Sequence, residues 1–538
     1  MEDNQEKNSP RIDEIDQLPH EKSVLNPALN QKTPKKKLFA VMTALLIVII
    51  GGIIGWIIFS GSHPLKNSRL SSKEIPRLVI ANQDKKNIFY PDFANSDYAN
   101  TYNFQSFEGL VRYEDQSKIV PALASSWSNP DELTWKFNLK KNVKFHTGKT
   151  MTADDVVYSY EIQKKNEDFS DLYLSTISSV KKIDAYTVEV KTTDPDLVLL
   201  NKLNFMTIID RQSEGKKPSP IYGTGAYTLK PGTTPTESRL ELIAFDDYHE
   251  GRPTTRELVF IRREEDEGLA QALLEKKSNI SGEFINGRNE SLEQKKLISR
   301  EVPDTSITFL ALNTIKPGPL QSLDVRRAIQ AAIDVPMLIE KSNISAVPSS
   351  QLLVDIIPGY NPKITPVKRD VQKARQLLTK AGYPNGFTVE LVDAGGYGET
   401  YKTILPAQLA EIGIVVKNRS MEDFSSFLDE LTSGKIEIGV LSYSSDFLDG
   451  GDVFNATTSQ LGLYQSQKLE SILNEATSTT NDKERLALLQ EAGSFVNDDV
   501  PVIPLYNVVR EWYMDKEYKM KRDMPNSGMG VYFWKAHL

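Results

Sequence analysis

The chain has 538 residues, no cysteine, a formal net charge of −8 and 39% hydrophobic residues. Without a thiol there is no disulfide framework, no cysteine nucleophile and no lipid attachment through cysteine, so stability has to come from burial alone. The acidic balance argues against a polyanion such as nucleic acid as the partner.

Residues 1–37 hold seven acidic and seven basic side chains and little that could pack; a disordered cytoplasmic tail is expected. Residues 38–59 are 22 uncharged residues, about 33 Å long as a helix against a hydrocarbon core of roughly 30 Å. This predicts one transmembrane helix. It is too long for the apolar part of a cleavable signal and follows a polar stretch, so an uncleaved anchor is expected, with a buried core helix as the weaker alternative. Lys32, Lys35, Lys36 and Lys37 crowd the N-terminal flank, which places the N-terminus in the cytoplasm and the globular body outside the cell. What remains beyond the span exceeds the usual reach of one core, and at least two lobes are expected.

In the exterior chain, Leu133, Trp135, Phe137 and Leu139 alternate with polar residues, a strand with one face on a core. Lys141-Asn142 predicts a turn, Val143 and Phe145 resume the alternation as a hairpin, and Thr152 with Asp155 supplies a capping box for a helix through Tyr160. Later, Val371, Ala374, Leu377, Leu378 and Ala381 fall at helical spacing, with Gly382 and Pro384 ending the helix. Phe387, Val389 and Leu391 follow as a strand, then a helix ending near Gly413, an apolar 414–416, a helix over 424–431, and Ile436, Ile438 and Val440 as a further strand. Strand, helix, strand, helix, strand predicts a parallel sheet and an α/β fold.

Gly148-Lys149-Thr150 imitates the end of a phosphate-binding loop. The glycine required five residues earlier is replaced by Val143, so a plain turn is the better reading. Gly223-Thr224-Gly225 lacks the third glycine of a dinucleotide fingerprint and reads as a flexible turn or hinge with unusual φ. His146, His249 and His537 show no metal-ligand spacing, and no Gly-x-Ser-x-Gly elbow occurs. No catalytic residue, metal or cofactor is expected. Asp446, Asp449 and Asp452 recur every three residues around Gly450-Gly451; a polar loop and a binding loop beyond a strand end remain equally open.

An ordered series of blocks resembles a known family. It begins with Phe107-Glu108-Gly109-Leu110-Val111-Arg112-Tyr113, 119–127 with Trp127 at its end, Leu133-Thr134-Trp135, Val143-Lys144-Phe145-His146 and Thr152-Ala153-Asp154-Asp155-Val156-Val157. Further blocks are Gly223-Thr224-Gly225-Ala226-Tyr227, Val325-Arg326-Arg327-Ala328-Ile329 with Ala332-Ile333-Asp334, and Ala381-Gly382-Tyr383-Pro384-Asn385-Gly386-Phe387. The chain from about Leu78 onward resembles the family 5 extracellular solute-binding proteins, the oligopeptide and dipeptide receptors of ABC importers.

The resemblance implies a two-lobed periplasmic-binding-protein-like fold (type II, cluster C) with an extra subdomain. Its expected limits are a linker over 60–76, lobe I over 77–111, 223–304 and 498–538, an inserted subdomain over 112–222, and lobe II over 305–497. It further implies a monomeric exterior domain that binds a peptide ligand and presents it to ABC permease subunits served by separate ATPases. Aligning Tyr443-Ser444-Ser445-Asp446 with the family's Trp-x-x-Asp segment makes Asp446 the partner of a ligand ammonium, with Tyr443 and Ser444 lining the cleft. Asn95 to Tyr98 match the lobe I segment that faces the ligand. Tyr397 and Tyr401 are either aromatic pocket walls or core packing. Tyr443 departs from the family's tryptophan, and no arginine is placed for a short peptide's carboxylate, so a longer peptide fits better than a dipeptide. Some family members bind nickel chelates, haem or sugars instead.

Overall fold

The computed structural model describes residues 74–82, 103–114, 118–213, 222–236, 238–263, 265–284, 292, 297–394, 398–445, 447–479, 481–516 and 533–535. The described residues all belong to one compact unit, 72–538. The tail and the apolar run 38–59 lie outside the described residues. Among the described residues no helix is long and apolar enough to cross a membrane.

Strand β1 (Leu78–Asn82) opens the described chain, followed by a two-stranded ribbon of β2 (Val111–Glu114) and β3 (Lys118–Pro121). Next comes a four-stranded antiparallel sheet in the order β4-β5-β7-β6, from β4 (Ala124–Asp131), β5 (Thr134–Leu139), β6 (Ile177–Asp184) and β7 (Thr187–Thr192). The expected alternation holds in the second half of β5, where Phe137 and Leu139 are buried while Lys136 and Asn138 are exposed, but at its start Leu133 is exposed and Thr134 buried. Its hairpin partner differs from the expected one. β5 pairs with β4 and β7, whereas Lys144 makes only an isolated bridge to Thr150. Val143 and Phe145 are nevertheless fully buried, because their turn folds back onto the core of this four-stranded body.

Asn142 at φ 63° and Gly148 at φ 85° take the left-handed turn positions. The helix Ala153–Gln163 then begins where Thr152 donates its backbone N–H to the Asp155 carboxylate at 2.9 Å. Gly223 and Gly225 do not take the unusual φ expected of them. Neither is among the positive-φ glycines, and a Cβ on either would lie 2.1 Å from Ser106 O or 2.6 Å from Gln105 O. Close backbone approach, not conformational freedom, requires glycine there.

The remaining strands join β1 in one large sheet: β8 (Tyr227–Leu229), β9 (Arg239–Ala244), β10 (Glu257–Arg262), β11 (Ile280–Phe284), β12 (Ile298–Leu312), β13 (Ala346–Pro348), β14 (Thr388–Asp393), β15 (Val415–Ser420), β16 (Ile438–Ser444) and β17 (Val502–Met514). Its order is β15-β14-β16-β12-β17-β11-β1-β10-β9-β8, with β13 also paired to β17. One end is the expected parallel set, since β14 runs parallel to both β15 and β16. The other end centres on β1, parallel to β10 and β11. Among the described residues, only the 15-residue β12 and the 13-residue β17 run through both ends, and their register slips between Pro303 and Ile307.

Helix ends at the parallel end follow the expected signals. Asp370 caps Val371–Lys380 by accepting from Lys373 N at 2.8 Å, Ala374 and Leu378 are buried, and Gly382 at φ 90° closes the helix. Leu310, Val440 and Leu391 meet that helix on one face of the sheet. Ile307, Phe309 and Leu441 join the second core on the other face, which continues into the four-stranded body.

Candidate ligand cleft

Parallel strands leave their carboxyl ends open to a ligand, because no hairpin closes over them. Here β14 ends at Asp393 and β16 at Ser444. The register pairs Tyr443 with Ile307 and Ser444 with Ser306. Strand alternation sends Ser442 to Thr308 on the opposite face, at 2.6 Å. Tyr443 is half-buried against the main core and donates its hydroxyl to Asp452 Oδ2 at 2.8 Å. Ser445 Oγ donates to the same oxygen at 3.4 Å and accepts from Asp449 N at 3.2 Å.

The recurring aspartates divide into distinct roles. Asp449 caps the helix Gly450–Thr457, its Oδ1 accepting from Gly451 N at 2.9 Å and Asp452 N at 3.1 Å, while Oδ2 meets Arg485 at 2.6 Å. Asp452 lies in the first helical turn. Burial pushes its carboxyl above the usual range, and the neighbouring Asp449 charge acts the same way. The Tyr443 and Ser445 hydrogen bonds and the more distant Lys202 oppose the shift without cancelling it.

Beside these strand ends the crossing strands are tied together where their register slips. Asp304 accepts from Ser306 N at 3.0 Å and pairs with Arg510, and Asn507 Nδ2 donates to Ser306 O at 3.0 Å. A cavity of about 450 Å³ opens there, lined by Glu301, Asp304, Ser349, Asp355, Tyr360 and Asn507.

Titratable groups in the four-stranded body are engaged differently. Lys149 bridges Asp155 and Asp210, both fully buried carboxylates. Glu108 receives Thr224 Oγ1 at 2.9 Å and Tyr248 Oη at 3.0 Å, with His249 Nε2 within 3.0 Å. Burial lowers His146 to about 4, although its Nε2 meets Gly225 O at 2.9 Å. For Glu250 burial favours the neutral acid, yet Arg112 at 2.7 Å and Lys140 at 2.9 Å hold the carboxyl at about 2. These groups staple segments together. Among the described residues no group of histidines and carboxylates could hold a metal ion.

Of the residues singled out from sequence, Tyr443 and Ser444 come together at the end of β16. Asp446, Asn95, Tyr98 and Tyr397 lie outside the described residues. Tyr401 is 1% exposed and donates its hydroxyl to Tyr506 Oη at 2.8 Å, so it packs in the core and is not a pocket wall. Asp452 belongs to the aspartate run singled out from sequence, whereas the contacts that Tyr113 and Asn201 make with Phe447 were not anticipated. For Asp449, an aspartate directly before Gly450-Gly451 was a legible cap signal. Tyr113 and Asn201 reach Phe447 across 334 and 246 positions, where no local pattern exists.

Residues 118–465 match the bacterial extracellular solute-binding proteins, family 5. The heme-binding protein A of Haemophilus influenzae is 27% identical over 465 residues, covering 76% of this chain and 83% of that protein. The dipeptide-binding protein of Escherichia coli is 25% identical over 486 residues, covering 80% and 89% respectively. Among solved structures, HbpA2 from Haemophilus parasuis superposes with a TM-score of 0.78 at 22% identity, covering 86% of this chain and 99% of that one. That likeness shows the two-lobed α/β fold, and the family match spans well over half of the sequence. The chain belongs to the family 5 bacterial extracellular solute-binding proteins.

Proposed function

We propose that this protein is the membrane-tethered receptor of an ABC importer, taking oligopeptides into a cleft between two lobes and delivering them to the permease. The observation that carries the reading is the match of residues 118–465 to this family, with a cavity of about 450 Å³ beside the crossing strands, lined by Asp304 and Asn507. Lobe I comprises 77–111, 223–304 and 498–538, with 112–222 inserted in it, and lobe II comprises 305–497. The large sheet favours this division, because among the described residues β12 and β17 alone run through both of its ends. Ligand closes the lobes about those strands, and the closed form engages the permease.

A peptide in such a cleft is held extended, its backbone paired as an added strand and its ammonium end met by a carboxylate. Asp446 is that carboxylate, with Tyr443, Ser444, Asn95, Tyr98 and Tyr397 around the ligand. The Asp446→Ala variant should bind peptide more weakly by about 2 to 5 kcal/mol, the scale for removing one member of a desolvated charge pair. Titration calorimetry with a tetrapeptide reads this directly, and unchanged affinity removes Asp446 from the site.

Residues 38–59 act as the tether, doing for this cysteine-free chain what a lipid on cysteine does for other receptors. The gain is effective concentration beside the permease. Deleting 1–31, which keeps the flanking lysines, and measuring uptake and signalling separately distinguishes a tether from a ligand-sensing receptor. A haem ligand is the second reading, favoured by the 27% identity to a protein named for haem binding.

A further inference from the structure

The stretch that leaves β16 touches more than its own half of the molecule. The Phe447 backbone carbonyl accepts from Tyr113 Oη at 3.2 Å and from Asn201 Nδ2 at 2.6 Å. Tyr113 belongs to β2 and Asn201 to the helix Leu199–Phe205, both on the side of the four-stranded body. Two donors satisfy both lone pairs of one carbonyl, an arrangement that surface packing does not require.

The side chain of Phe447 follows its carbonyl. Its ring is 8% exposed, meets Tyr173 edge to face at 5.8 Å between centroids and lies 5.7 Å from the Lys202 ammonium. Lys202 is fixed in turn by Asp196 at 2.8 Å. Leu448, next in the chain, is buried in the left-handed region at φ 49°, a conformation a leucine keeps only where its surroundings impose it. Contacts from the opposite body therefore reach this loop at Phe447, just beyond β16, whose last two residues are Tyr443 and Ser444.

We infer that the Phe447 carbonyl is a closure latch, and that Tyr113 and Asn201 are positioning residues that set the ligand loop only when the two lobes are shut. The inference rests on the reading of the protein as a receptor whose lobes close. Opening the lobes breaks both hydrogen bonds and frees the Phe447 ring, so the loop that contacts ligand loses its imposed geometry at the same moment. Ligand affinity then includes the latch, although neither Tyr113 nor Asn201 has to touch the ligand.

Because the chain has no cysteine, Lys181→Cys on β6 and Lys417→Cys on β15, both exposed strand positions, give a unique spin-label pair across the two bodies. Pulsed dipolar spectroscopy on the ligand-free full chain reads the open-to-closed ratio with no ligand added. The parent should show a closed fraction. Tyr113→Phe combined with Asn201→Asp should raise the open-to-closed ratio about tenfold or more, the scale for losing two hydrogen bonds. The fold should persist with a thermal midpoint lowered by no more than the loss of two hydrogen bonds implies, and Asn201→Gln, which retains an amide donor, should recover part of the closed fraction. An unchanged ratio in the double variant, or a parent with no closed fraction, would overturn the latch. If no peptide ligand is ever found, this result still stands, so the two readings fail separately.

Discussion

Buried carboxylates in this molecule fall into two groups, those matched by a cation, among them Asp449 with Arg485 beyond β16, and Asp452, which is met by hydroxyls. In the body, Asp196 faces Lys202, Asp155 faces Lys149, and Glu250 sits between Arg112 and Lys140. At the end of β16, Asp452 accepts hydrogen bonds from two hydroxyls, and its carboxyl is pushed up. A buried carboxylate matched by a cation serves architecture. One matched only by hydroxyls is costly to keep ionised and is the kind of group found at functional sites.

The largest test of this contrast is Asp196→Ala. It leaves the Lys202 ammonium, 9% exposed, without its carboxylate, and urea unfolding should show a loss of about 3 to 5 kcal/mol. A loss below about 1 kcal/mol would remove the architectural half of the comparison.

Next in size is the acid dependence of Glu250, whose carboxyl moves from the ordinary 4.5 to about 2. A depressed folded value stabilises above the unfolded value and is lost as pH falls through the folded one. Stability should therefore drop by about 3 kcal/mol between pH 4.5 and 2. Glu250→Gln should flatten that part of the curve. An identical acid limb in wild type and variant would contradict the pairing.

Tyr443→Phe removes one hydroxyl from Asp452 and should cost about 1 kcal/mol in thermal unfolding. The smallest effect expected is that of Asp452→Asn, and its sign matters more than its size. A raised folded value means that the contribution is complete below the unfolded value and lost as pH rises through the folded one. At pH 7 the asparagine variant should be as stable as wild type or slightly more so, with any advantage vanishing in acid. A clear loss of stability at pH 7 would place Asp452 with the architectural carboxylates.

Much of the fold was legible because local rules and tertiary packing agree. The run from Val371 to Val440 carried periodicity, caps and glycine stops in sequence, and the structure has the parallel β14, β15 and β16 in those places. Thr152 and Asp155 announced their helix for the same reason. The hairpin assigned to Val143 and Phe145 went astray because alternation reports burial, not pairing, and a buried turn alternates as well. Gly223 and Gly225 misled in a similar way, since glycine marks either free φ or close approach, and only Ser106 and Gln105 at short range decide between them.

Family resemblance pointed to Tyr443 and Ser444, and the structure puts both at the end of β16. Tyr401 was ambiguous in sequence because a tyrosine serves equally as wall or core, and its bond to Tyr506 resolves it. The contacts of Phe447 could not be read from sequence at all. They join segments hundreds of residues apart, and a backbone carbonyl carries no residue-specific signal.

The central claim is that the cleft holds peptide. Mass spectrometry of the small molecules released from the purified, natively folded protein tests it most directly. Release of oligopeptides, depleted in the Asp446→Ala variant, is the result expected. Release of haem or a metal chelate with no peptide would contradict it.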